Sequence, residues 1–196
     1  MSASANAPVA LISTRVRTLP SVRVQTAATA LAVVAAVALP QCFHAVGAVS
    51  GLGTALGETF LPMHLPVLMV GLLAGPWAGL ATGALAPAVS FALSGMPMAA
   101  MLPFMIIELA GYGLVAGLLR GTAMPTIAKV LVAQVAGRAV RALAVLVAVF
   151  ALGNSAVAVA SIWMSVVTGL PGLILQWALI PLLAYWIDSK TQARRA

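Results

Sequence analysis

No Asp, Glu, Lys or Arg stands between Arg23 and Glu58, and none between Glu58 and Glu108. A surface that faces water needs polar cover, and soluble domains carry roughly 25% charged residues. Here 7% are charged and 63% hydrophobic. Such a chain must turn its outside to lipid, where every backbone N–H and C=O has to be paired internally and only helices or closed barrels survive. Barrel strands would alternate apolar and polar residues. The apolar runs here are continuous and rich in Ala, Leu and Gly, so the expectation is an all-α integral membrane protein.

Six spans fit the punctuation of the sequence. The first is Val24–Cys42, long enough to cross at about 1.5 Å per residue. A Gly-rich loop is expected over Phe43–Thr59. Two helices, Leu61–Ala74 and Trp77–Leu93, are separated by Gly75-Pro76, a helix stop followed by a helix start. The turn residues Ser94-Gly95-Met96-Pro97 lead to a fourth helix over Ala100–Leu119. A fifth runs over Pro125–Leu152, and a sixth, carrying Pro171 and Pro181, over Ala158–Ile187. Residues 1–23 read as a flexible basic tail, 24–188 as the membrane domain and 189–196 as a second basic tail.

Charge fixes the orientation. With the N-terminus inside, the cytoplasmic segments hold Arg15, Arg17, Arg23, Arg120, Lys129, Lys190, Arg194 and Arg195, while the outer segments hold no Lys or Arg. That is the positive-inside pattern, and it places both termini in the cytoplasm. The net charge of +7 is thereby explained without a nucleic-acid partner. Membrane lipid is the partner that it implies.

Ionisable side chains within spans cost several kcal/mol and need a reason. Glu108 on the fourth helix and Arg138 and Arg141 on the fifth are expected at comparable depth. They form either an ion pair that fixes two helices or a ligand-facing site, with Arg141 also able to reach toward lipid headgroups. The surplus of arginine over carboxylate favours an anionic solute. His64 follows Pro62 at the outer start of the second helix. Metal binding lacks support, because His44, His64, Glu58 and Glu108 show no paired ligand spacing. Asn154 and Gln176 are donors that could orient a solute or bond across helices, and Trp163 and Tyr112 could stack on a ring.

Ala28, Ala32 and Ala36 lie one turn apart, as do Gly75, Gly79 and Gly83. Small residues at this spacing let helices approach closely. In so Ala-rich a chain packing within the bundle accounts for such matches, and a partner-docking face is the sharper reading for helix one. Catalysis finds no constellation: there is no Ser/His/Asp set, no Gly-x-Ser-x-Gly, no Walker motif, and only Cys42 among thiols. No cofactor is implied, the chain is not expected to be an enzyme, and any active transport must draw its energy from elsewhere.

The segments Leu61-Pro62-Met63-His64-Leu65-Pro66-Val67, Gly71 to Gly83 around Gly75-Pro76, Ala86-Pro87 and Gly95-Met96-Pro97 follow one another in a recognisable order. They continue with Glu108-Leu109-Ala110-Gly111-Tyr112-Gly113-Leu114-Val115-Ala116-Gly117, Ala136-Gly137-Arg138, and Pro171-Gly172-Leu173-Ile174-Leu175-Gln176, ending at Ile180-Pro181. In this the chain resembles the substrate-binding S components of energy-coupling-factor (ECF) vitamin transporters. The departure is that Ala replaces much of the bulky aliphatic content.

The resemblance implies capture of a vitamin-like solute on the outer face of the cell membrane. Docking would follow on a scaffold transmembrane subunit driven by two cytosolic ATPases. It makes Glu108, Tyr112, Arg138, Asn154, Gln176 and His64 candidate ligand contacts. The Gly47–Gly57 loop and Met96 would form a lid, and Ala28, Ala32 and Ala36 would meet the scaffold. The competing reading is a stand-alone secondary transporter with Glu108 as proton relay, although no inverted repeat is visible.

Overall fold

The computed structural model describes residues 19–193, and the tail residues Arg15, Arg17, Arg194 and Arg195 lie outside it. The described chain is helical throughout: α1 (Val22–Ser50), α2 (Ala55–Phe60), α3 (His64–Ala74), α4 (Pro76–Ser94), α5 (Leu102–Leu119), α6 (Thr126–Leu146) and α7 (Ala160–Ala193). A π-helical turn over Val147–Ala151 prolongs α6. Six helical stretches are long and apolar enough to cross a membrane, with α2 and α3 together making the second. The six-helix expectation holds.

Three boundaries differ from it. Helix α1 does not end at Cys42 but runs on to Ser50, where Gly51 at φ 75° caps it in the left-handed conformation. The Gly-rich stretch after Cys42 is therefore mostly helix, first α1 and then α2, rather than loop. Gly47 sits inside α1 because its missing Cβ leaves room for the carbonyl of Gly53, which folds back over it. At the other terminus α7 continues beyond residue 188 into the segment expected to be a tail.

Helices α4 and α5 approach so closely that a Cβ on Gly113 would lie 2.8 Å from Cα of Gly79, and one on Gly83 would lie within 2.5 Å of the α5 backbone at Ala110. Without water to drive helices together, such backbone contact is what holds membrane bundles. The core on this seam contains Leu68, Leu109, Ala116 and Tyr112, all fully buried.

The alanine row on α1 is inside as well. Ala32 packs with Val70, Ala74 and Ala78, and Ala28 lies against that cluster; Ala36 is fully buried in the main core. The expectation of an outward docking face at Ala28, Ala32 and Ala36 is therefore corrected. Val70 and Ala74 of α3 and Ala78 of α4 receive Ala32, and the outward side of α1 presents Ala27, Leu31, Val34 and Ala38 instead.

One end of the bundle gathers the cations. Arg23 lies in the first turn of α1 and Lys190 in the last turn of α7. Arg120, just past α5, donates from Nη2 to the carbonyl of Leu73 at 3.0 Å. That carbonyl belongs to the C-terminal turn of α3, where backbone acceptors lack helical partners and a cation is favoured. Lys129 donates from Nζ to the carbonyl of Arg120 at 3.0 Å. Both cations, expected simply on the cytoplasmic side, are buried and cap the chain there.

Candidate functional site

At the opposite end the helices part around a cavity of about 740 Å³, within the roughly 300–1,000 Å³ usual for small-molecule sites. Its floor comes from α5 and α6. Glu108 and Tyr112 are one turn apart on α5 and therefore share a face; the Tyr112 hydroxyl donates to Oε1 of Glu108 at 2.9 Å. Arg138 and Arg141 share a face of α6 in the same way. Nη1 of Arg141 is 3.4 Å from Oε2 of Glu108, and Nη1 of Arg138 is 3.8 Å from Oε1.

Gly137 makes this junction possible. A Cβ there would strike the Tyr112 ring and come within 2.8 Å of the Glu108 carbonyl. Any larger residue would push α6 and its two arginines away from Glu108.

Helix α7 supplies one wall through Ser161, Ser165 and Thr168, spaced to fall on one face. Ser165 accepts from Nη1 of Arg138 at 3.2 Å and donates to the carbonyl of Ile162 at 2.9 Å. The break between α2 and α3 forms the opposite wall. Leu61 there holds φ 50°, a left-handed conformation that costs a residue with a Cβ about 1–2 kcal/mol and that functional sites tend to retain. His64, 4% exposed, begins α3 beside the cavity with its ring 5.2 Å from that of Tyr112. The mouth is lined by His44, Thr54 and Glu58; Glu58 is exposed and accepts from Thr54 at 3.0 Å.

A chain of side-chain bonds braces the strained turn. Gln176, 1% exposed, donates to the Leu61 carbonyl at 3.3 Å and accepts from Gln134 at 2.9 Å. Trp177 completes the chain by donating to Gln134 at 2.6 Å. Helix α2 is seated on α7 where a Cβ on Gly172 would meet the Phe60 backbone at 2.6 Å. The Gly47–Gly57 segment, expected as a loop, folds as the last turn of α1, a short turn and the start of α2.

The structure brings Glu108, Arg138, His64 and Met96 to the cavity surface. Tyr112 is fully buried behind it, bonded to Glu108, and Gln176 is bonded to the Leu61 carbonyl. Asn154 is not brought there: it is exposed in the turn after α6, and its Oδ1 accepts from the Ala156 N–H at 2.9 Å. Trp163 faces outward, 69% exposed. Apart from Met96, what sequence reasoning missed is the wall chemistry. Met63, Met96, Met98, Met101, Met105 and Met164 line the cavity, and the one available signal was the crowding of methionine between positions 96 and 105. Among the described residues no three His, Cys, Asp or Glu side chains gather closely enough to hold a metal ion.

Compared with known proteins, the chain matches no curated protein and no solved structure. The family model for the ECF transporter substrate-specific component matches residues 25–184, a stretch that takes in all six spans almost entirely and every residue of the cavity. An all-helical membrane bundle with a solute-sized cavity and no energising motif is what such a subunit requires, and the chain belongs to the family of substrate-specific components of ECF transporters.

Proposed function

We infer that this subunit captures a vitamin-like small solute at the outer face of the cell membrane. It then delivers the solute inward in complex with a scaffold transmembrane subunit and two cytosolic ATPases. The observation that carries this is the position of the cavity: it opens at the end of the bundle opposite Arg23, Arg120, Lys129 and Lys190. By the positive-inside rule those cations mark the cytoplasmic side, so the cavity faces outward and both termini lie inside. On this reading the scaffold meets the outward side of α1 rather than Ala28, Ala32 and Ala36.

The lone chain is expected to bind solute yet not accumulate it. Expressed in cells that lack the scaffold and ATPases, it should leave the intracellular level of every labelled vitamin tested at that of empty cells. Accumulation that persists there and collapses with the proton gradient would instead show a secondary transporter with Glu108 as its relay.

Affinity should depend on the two arginines unequally. Arg138 stands farther from Glu108 and is held by Ser165 at the cavity wall, whereas Arg141 lies closer to the carboxylate. Arg138→Ala is expected to weaken binding roughly 10- to 100-fold, the value of a hydrogen bond to a charged group, and Arg141→Ala less. Equal and intact affinity in both variants would leave Arg138 with a structural role only.

A further inference from the structure

The charge and wall chemistry of the cavity constrain its occupant further, provided that the solute-capture reading holds. Two guanidinium groups share one carboxylate at the floor. Glu108 already accepts from Tyr112, and Arg138 lies at 3.8 Å from it, beyond hydrogen-bond distance. Nε of Arg138, Nε of Arg141 and Nδ1 of His64 are buried without a hydrogen-bond partner among the described residues. The remaining acid at the cavity, Glu58, is exposed at the mouth, where water screens it. His44 stands beside it, with Nδ1 likewise buried and unpartnered among the described residues.

The floor therefore carries a surplus of one positive charge in surroundings where unpaired charge is costly. One negative charge on the solute relieves it, and two would overshoot. A planar guanidinium fits a carboxylate through paired N–H donors.

Above the floor, six of the nine methionines in the chain form the walls. Thioether side chains are flexible and polarisable and make favourable contacts with the edges of unsaturated rings. Thioethers and imidazoles together would also suit a soft metal cation, but two adjacent guanidinium groups repel one.

We propose that the solute is a monocarboxylate with an apolar, unsaturated ring body, its carboxylate received by Arg138 and Arg141 and its ring held among the methionines. The unpartnered Nδ1 of His64 is then placed to meet a polar atom on the body.

The full chain, purified in detergent, is loaded with the small-molecule fraction of yeast extract, washed, denatured, and its released ligand identified by mass spectrometry. A ring-bearing monocarboxylate is expected. Arg141→Gln should reduce its retention by up to about tenfold, because Glu108 then claims the charge of Arg138. Glu108→Gln/Arg141→Gln should restore retention, because Arg138 is released while the net charge of the floor stays at its natural value. That rescue is not expected if the three residues only pin helices together. The double variant also reports when the single one does not fold.

A cation, an uncharged molecule, a dianion or an acid without a ring overturns the proposal and leaves solute capture standing. So does a folded double variant that has lost the acid. A folded natural chain that retains nothing overturns solute capture, and this proposal with it.

Discussion

Glu108→Ala is expected to destabilise the bundle by about 3 kcal/mol, the low end of what removing one partner of a buried ion pair costs. The carboxylate is 3% exposed and faces both Arg138 and Arg141. Its removal leaves two like charges side by side with no counter-ion, and the Tyr112 hydroxyl without its acceptor. The low end applies because the arginines border a cavity that water can enter. Thermal unfolding in detergent should fall by on the order of 10 °C for a chain of this size. Glu108→Gln/Arg141→Gln should recover most of the loss, since one of the two competing cations leaves with the acid. An alanine variant that unfolds at the natural temperature would show that the arginines are neutralised in some other way.

Gly113→Val should be more damaging still. A Cβ at this position would collide with the Gly79 carbonyl and lie 2.8 Å from the Gly79 Cα. These are backbone atoms that cannot turn aside as a side-chain end would. To fit Val, α5 must separate from α4 along the seam that holds Leu109, Tyr112 and Ala116. Overpacking in a soluble core costs about 1–3 kcal/mol, and a backbone clash on the closest helix crossing should exceed that. The expected result is a protein that aggregates on extraction instead of eluting as one species. Ala92→Val, on the exposed flank of α4, adds a bulkier side chain without a clash and should elute as the natural chain does. A monodisperse, ligand-binding Gly113→Val variant would mean that the seam is looser than its geometry implies.

Much of this architecture was legible from residue types alone, for a physical reason: lipid imposes one rule on every exposed position. The missing charges between Arg23 and Glu58 and between Glu58 and Glu108, the helix break at Gly75-Pro76 and the one-sided placement of Lys and Arg are all one-dimensional consequences of that rule. They suffice for six helices and for which end holds the cations. The local boundaries were harder. The segment after Cys42 is as apolar as a helix and as Gly-rich as a loop, and only Gly53 folding back on Gly47 shows that α1 reaches Ser50.

The candidate site was legible in its ions and not in its walls. Glu108, Arg138 and Arg141 stand out because an ionised group within a span needs compensation, and consecutive antiparallel helices bring them together. The methionines carry no such mark. They come from the α2–α3 link, the α4–α5 turn, α5 and α7, and an apolar residue in an apolar chain gives no sign of whether lipid, core or cavity receives it.

The same ambiguity reversed the role of Ala28, Ala32 and Ala36. Periodicity shows that a smooth row exists and not what lies against it; the row meets Val70, Ala74 and Ala78 within the chain. Asn154 shows the converse, a polar group with the right chemistry and the wrong neighbours. Residue type by itself determined the solvent, the number of crossings and the places where charge had to be compensated, because transfer into hydrocarbon is priced one side chain at a time. Which faces meet, which methionines turn inward and which amide braces Leu61 depend on contacts between residues far apart in the chain, and only the folded bundle decided them.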